Sequence, residues 1–138
     1  MNDFIPPAKP LIGDEEIEAV ARVMRSGMLA QGPEVAAFEQ EFSTHFGLGR
    51  ACVAVNSGTS GLHLGLLAAG VGPGTEVIVP SFTFAATANS VALTGATPIF
   101  ADIDPDSFCL DPAAVEAAIT ERTVGVMPVH LYGHPANM

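Results

Sequence analysis

The sequence predicts an α/β fold, a three-layer parallel sheet with helices on both faces. Three observations predict it. From Arg50 onward, short apolar runs alternate with segments of helical composition, and strand–helix alternation of this kind builds a parallel sheet with right-handed crossovers. The runs are apolar throughout rather than at every second residue, the pattern of strands covered on both faces. Hydrophobic residues make up 49% of the chain and mean hydropathy is +0.39, which suits a doubly covered sheet or surface meant for another domain or subunit. With 138 residues there is room for one domain burying roughly two-thirds of its unfolded surface.

Taken in order, residues 1–12 contain Pro6, Pro7 and Pro10 and read as an extended arm. A helix begins at Gly13-Asp14, with Asp14 the expected cap. Behind the acidic first turn of Glu15, Glu16 and Glu18, the residues Ile17, Val20, Ala21 and Met24 recur at helical spacing. Residues 26–32 form a flexible connector. Pro33 suits a first helical position and opens a second helix, whose stripe of Val35, Phe38, Phe42 and Phe46 is expected in the core. Strands are then expected at 51–55, 76–79, 97–101 and 123–129. Helices are expected near 60–69, 84–93 and 112–119, the last opened by Asp111 as cap with Pro112 behind it. The expected organisation is thus an amino-terminal arm and two helices over 1–48, followed by sheet-forming residues 49–138.

Fifteen acidic residues against five basic ones give a net charge of −10. That field argues against nucleic acid or an anionic membrane as partner, while allowing a small phosphorylated ligand held by backbone donors. The longest weakly polar run, 61–72, is too short to span a bilayer. The amino terminus lacks a basic-then-apolar signal, so a cytoplasmic protein is expected. Cys52 and Cys109 have no metal-ligand spacing and read as free thiols, with no metal site.

The chemistry concentrates in Asn56-Ser57-Gly58-Thr59-Ser60-Gly61, between an apolar run and a Leu/Ala-rich helix. Glycines permit close backbone approach, and hydroxyls stand beside the free N–H groups and positive end of a helix dipole: the construction of a phosphate cradle. A capped strand-to-helix turn accounts for the same residues, since Ser and Thr are ordinary caps. Both readings stand on this stretch alone. The dinucleotide fingerprint, the P-loop and the nucleophile elbow are each missed. A parallel sheet brings the carboxyl ends of its strands to one edge, where such sheets bind ligands. That edge would carry residues 56–60, 80–84, 102–104 and 130–133. Phe82 and Phe84 lie there, and either could stack on a planar ring or pack.

These residues carry a resemblance. Asn56 to Leu64, followed by Val79-Pro80-Ser81-Phe82-Thr83-Phe84-Ala85-Ala86-Thr87-Ala88-Asn89, resembles the DegT/DnrJ/StrS family of pyridoxal-phosphate-dependent sugar-nucleotide aminotransferases. Residues 27–39, 95–104 and Val129-His130-Leu131-Tyr132-Gly133 match it too. The resemblance implies the amino-terminal part of the large domain of a fold type I transferase. By position, Gly58, Thr59 and Ser60 would hold the cofactor phosphate and Phe84 would lie against its pyridine ring. Asp102 and Asp104 look like general acids, but the match makes them strand-end structure; His130 and Tyr132 lie near the site in the family. The family's Schiff-base lysine and pyridinium-pairing aspartate correspond to positions after Met138. Lys9, the lysine present, matches no motif, so no catalytic residue is expected here and the isolated chain is expected to be inactive. The implied reaction moves an amino group, from glutamate as donor, to a keto-sugar on a nucleoside diphosphate. The implied assembly is a homodimer with residues 27–32 near the subunit boundary. A sugar-nucleotide dehydratase of the same superfamily and a non-catalytic fragment are the alternatives.

Overall fold

The computed structural model describes residues 8–138, in two compact units that divide between Ala54 and Val55. Pro6 and Pro7 of the expected arm lie outside the described residues.

In the first unit, helix α1 spans Asp14–Ser26 and α2 spans Pro33–His45. The cap of α1 is Gly13 rather than Asp14. The Glu16 carboxylate reaches back one turn and accepts the Gly13 N–H at 2.7 Å, which leaves Asp14 inside the acidic first turn, facing the helix dipole. That bond holds the Glu16 carboxyl below its usual range. Gly27 ends α1 in the left-handed conformation, φ 75°.

The aromatic stripe of α2 forms as spaced but is not core. Its rings pack on each other along the helix, with centroids of Phe38 and Phe42 5.8 Å apart and those of Phe42 and Phe46 4.6 Å apart, yet no residue of α1 or α2 is buried. A helical stripe becomes core only where a second apolar face lies across it. The expected strand at 51–55 is likewise absent, and Val53 is 79% exposed. A parallel strand exists through its neighbour's hydrogen bonds, and among the described residues no strand pairs with 51–55. The Ala54 N–H instead donates to Glu39 Oε1 at 2.7 Å.

The second unit follows the expected alternation closely. It comprises α3 (Gly58–Ala68), β1 (Glu76–Pro80), α4 (Ala86–Leu93), β2 (Thr97–Ala101), α5 (Pro112–Ala118), β3 (Thr123–Val126) and a 3₁₀ turn at Leu131–Gly133. The three strands are parallel in the order β2-β1-β3, with Ile78 opposite both Ile99 and Val126. All five residues of β1 are buried, as its unbroken apolar run requires. Val77 and Val79 share one face with Val71, Leu66 of α3, and Ala88 and Val91 of α4. Ile78 points to the other face, against Leu110 and the α5 residues Ala114, Val115 and Ala118. Helices therefore cover both faces. β3 stops short of Pro128, which has no N–H to give a ladder.

Two details fix the geometry. Gly95 turns α4 into β2 at φ 84°, where a Cβ would stand 2.9 Å from Pro73 Cγ; no other residue fits that corner. At the strand-start edge, the buried Glu76 carboxylate accepts the Thr120 hydroxyl and the Arg122 Nε–H, the latter at 2.8 Å, and forms an ion pair with the Arg122 guanidinium. The Glu76 N–H also donates to the Arg122 carbonyl at 2.9 Å. This latch ties the start of the central strand to the turn before β3. The Thr120 hydroxyl and then Arg122 hold the Glu76 carboxyl below its usual range, against the opposing effect of burial.

Candidate functional site

Because β1, β2 and β3 run parallel, the segments after Pro80, Ala101 and Val126 emerge at one edge. α3 lies against α4. The first turn of α3 is held by Ser57, whose Oγ accepts the Ser60 N–H at 3.1 Å and lies 2.9 Å from Ser60 Oγ. Ser60 Oγ in turn donates to Asn56 Oδ1 at 2.7 Å. Ser57 is thus the cap, the residue that sequence reasoning placed only among the hydroxyls of this turn.

Capping leaves part of the turn unspent. The N–H groups of Gly58 and Thr59 stand at the first two helical positions, where a helix offers them no partner. No hydrogen bond within the second unit engages them or the Thr59 hydroxyl. Gly58 has an ordinary negative φ, so its backbone does not demand glycine. A Cβ built there meets nothing within 4 Å. The space in front of the helix start is open, faces two free donors and a free hydroxyl, and sits at the positive end of the α3 dipole.

The two phenylalanines after β1 part company. Phe82 packs on Phe108, with ring centroids 6.2 Å apart. Phe84 has no aromatic partner among the described residues and is 79% exposed. Its backbone is nonetheless fixed, because its carbonyl accepts the Thr87 N–H at 3.0 Å and so starts α4, while the hydroxyls of Thr83 and Thr87 meet at 3.1 Å. The result is an anchored residue with a free ring face.

Asp102 and Asp104 serve their own loop. Asp102 Oδ1 accepts the Ile103 N–H at 2.8 Å. Asp104 Oδ1 accepts the N–H groups of Ser107 at 2.8 Å and Asp106 at 3.1 Å. The Ser107 bonds above all keep the Asp104 carboxyl below its usual range, which makes it an acceptor, unsuited to giving up a proton. Around it, Phe108 N–H donates to the Asp104 carbonyl at 2.8 Å and Asp104 N–H to the Cys109 carbonyl at 2.9 Å. His130 Nδ1 accepts the Ala136 N–H at 2.9 Å, fixing the loop that presents Tyr132. Phe108 is not singled out in the sequence; the Asp104-x-Asp106-Ser107 turn that poses it is the signal that finds it. Both cysteines are free thiols. Among the described residues no cluster of three His, Cys, Asp or Glu could hold a metal ion, and no helix is long and apolar enough to cross a membrane.

Comparison with known proteins matches residues 10–138 to a family described as the DegT/DnrJ/EryC1/StrS aminotransferase family. The chain is 50% identical over 137 residues to the spore coat polysaccharide biosynthesis protein SpsC of Bacillus subtilis (strain 168), which covers 99% of this chain and 35% of SpsC. Among solved structures, 3-amino-5-hydroxybenzoic acid synthase superposes with a TM-score of 0.83 at 43% identity, over 95% of this chain and 34% of the other. NtdA of Bacillus subtilis, solved with bound cofactor PMP, superposes with a TM-score of 0.80 at 36% identity, over 99% of this chain and 34% of the other. The chain therefore spans about a third of the length of these relatives.

Proposed function

We propose a function from one premise: the chain belongs to the DegT/DnrJ/EryC1/StrS aminotransferase family. On that footing it forms the first part of a pyridoxal-phosphate-dependent enzyme that moves an amino group, from glutamate, to a keto-sugar carried on a nucleoside diphosphate. Residues 49–138 open its cofactor-binding large domain. The observation that carries this reading is the start of α3, where two free N–H groups and the Thr59 hydroxyl face open space over a glycine that its own backbone does not require. The residues fit a phosphate-bearing cofactor, because a side chain at position 58 would fill the space a phosphate needs.

When bound, pyridoxal phosphate supplies the electron sink for amino-group transfer. The chain's residues bind and orient. Gly58 and Thr59 grip the phosphate through N–H groups that need no reorganisation, and the α3 dipole adds to the attraction. The Thr59 hydroxyl gives one further charge-assisted bond. Ser60 braces the turn, its N–H donating to Ser57 Oγ and its hydroxyl to Asn56 Oδ1. Phe84 lays its ring on the cofactor's face and excludes water from it. The exposed apolar residues Ile17, Val20 and Met24 of α1, with Phe38 and Phe46 of α2, support a homodimer, which light scattering on the complete gene product would test.

The deciding experiment uses that complete product. Incubation with pyridoxal phosphate, borohydride reduction and peptide mapping should place the label on a lysine other than Lys9, and glutamate with a keto-sugar nucleotide should yield an amino sugar. No stable label, with dehydration of the sugar instead, would favour the dehydratase. A label at Lys9 accompanied by turnover would overturn the reading.

A further inference from the structure

Helix α4 buries three hydroxyls: Thr87, Ser90 and, at its end, Thr94. Their spacing puts them on one face of a helix that packs against α3 and the sheet. A buried hydroxyl costs free energy unless it is hydrogen-bonded. Two of the three are satisfied within the helix. Ser90 Oγ donates to the Thr87 carbonyl at 2.9 Å and Thr94 Oγ1 to the Val91 carbonyl at 2.7 Å, each three residues back. Thr87 breaks this pattern. Its hydroxyl has one partner among the described residues, the Thr83 hydroxyl at 3.1 Å, outside the helix.

The main chain of Thr87 reaches the same loop. Its N–H donates to the Phe84 carbonyl at 3.0 Å. One residue, itself only 5% exposed, therefore holds position 83 by its side chain and position 84 by its backbone. The loop is tied at its other end too, where the Ser81 N–H donates to the Ala101 carbonyl at 2.9 Å and the Phe82 ring packs on Phe108. Between these ties Phe84 projects outward with an open ring face. A valine at position 87 would fill the same volume without a polar group. A hydroxyl bonded within the helix, as in Ser90, would have left Thr83 free to turn. The Thr87 hydroxyl is spent instead on the residue that precedes Phe84.

We propose that Thr87 is a positioning residue for the cofactor site, a role that rests on the aminotransferase reading. It touches no ligand. By clamping Thr83 and the Phe84 carbonyl it sets the angle at which the Phe84 ring meets the plane of pyridoxal phosphate. The ring is oriented before the cofactor arrives, so less conformational freedom is lost on binding.

The test uses the complete gene product and two readings: equilibrium dialysis of pyridoxal phosphate, and the visible circular dichroism of the bound cofactor, which reports how asymmetrically its surroundings hold it. Thr87→Val keeps the shape and removes the hydroxyl. It should weaken the cofactor about threefold, within the several-fold loss expected of Phe84→Ala because it acts only through that ring, and should lower the circular dichroism per bound cofactor. Thr83→Val removes the same bond from a half-buried position outside the packed face of α4 and should reproduce both changes; it decides the matter if Thr87→Val fails to fold. Thr87→Ser retains the hydroxyl and should restore both readings. In a Phe84→Ala background either valine substitution should change nothing further. Unaltered affinity and circular dichroism in the valine variants would overturn the proposal. So would an equal loss in the absence of the Phe84 ring, which marks a general effect on packing, or no recovery in Thr87→Ser. A complete product that binds no pyridoxal phosphate refutes the aminotransferase reading and this role with it. A product that binds the cofactor equally well in every variant refutes the role of Thr87 alone.

Discussion

Ser57 and Thr59 stand two residues apart in one turn, and the structure assigns them separate consequences. Ser57 Oγ accepts the Ser60 N–H at 3.1 Å; Ser57→Ala removes that bond and should cost about 1 kcal/mol of stability, the usual loss for a helix cap. The Thr59 hydroxyl has no partner within its unit, so Thr59→Ala should leave stability within about 0.5 kcal/mol of the original, helped by alanine's better helix propensity. For the cofactor the order reverses. A hydroxyl bonded to a charged phosphate oxygen is worth about 1.5–3 kcal/mol, which is roughly ten- to a hundredfold in affinity. Gly58→Val sharpens the contrast, because its Cβ meets nothing in the chain and can only crowd a ligand. Stability is read by urea unfolding of the 138-residue chain, and affinity by equilibrium dialysis of pyridoxal phosphate against the complete gene product. If Thr59→Ala destabilises as much as Ser57→Ala while cofactor affinity stays the same, the turn is a capped corner and the cradle is refuted.

Other outcomes follow from single contacts. Phe84→Ala should weaken pyridoxal phosphate several-fold, as loss of about 0.5–1.5 kcal/mol of stacking implies, without moving the urea midpoint. Phe82→Ala should lower that midpoint, because its ring packs on Phe108. Gly95→Ala forces a left-handed alanine against Pro73 and should cost about 1–3 kcal/mol in the same unfolding assay. The Glu76 carboxyl titrates below its ordinary 4.5 when folded, so its stabilising effect is complete above that value and is lost as pH falls through the lower folded one. Urea midpoints measured from pH 6 downward should therefore fall more steeply for the original chain than for Glu76→Gln; parallel curves would show that the latch contributes nothing to acid sensitivity.

The second unit was legible because its signals are local. A run such as Val77-Ile78-Val79 says that both faces are covered, Asp111-Pro112 marks a helix start, and the chain honours each. Misreadings arose where an element depends on a partner that the run itself does not name. Residues 51–55 have the composition of a buried strand but no pairing strand among the described residues, and the Phe38, Phe42, Phe46 stripe has helical spacing but is not buried by any of them. In the candidate site, the residue types of the α3 turn were readable, whereas the division of labour was not: which hydroxyl caps and which stays free depends on rotamers. The contact of Phe82 with Phe108 was least legible, since the two meet only through the sheet.

The latch between Glu76, Thr120 and Arg122 has a consequence for anyone reshaping this molecule. It fastens the sheet at the end away from the cradle and Phe84, so the framework's polar fastening and its ligand contacts share no side chain. Libraries that randomise the loops after the strands should retain a high proportion of folded members. Libraries that reach into residues 120–122 should lose most of theirs, whatever ligand is being sought. An engineer can thus treat one rim of the sheet as a workbench and the other as its vise.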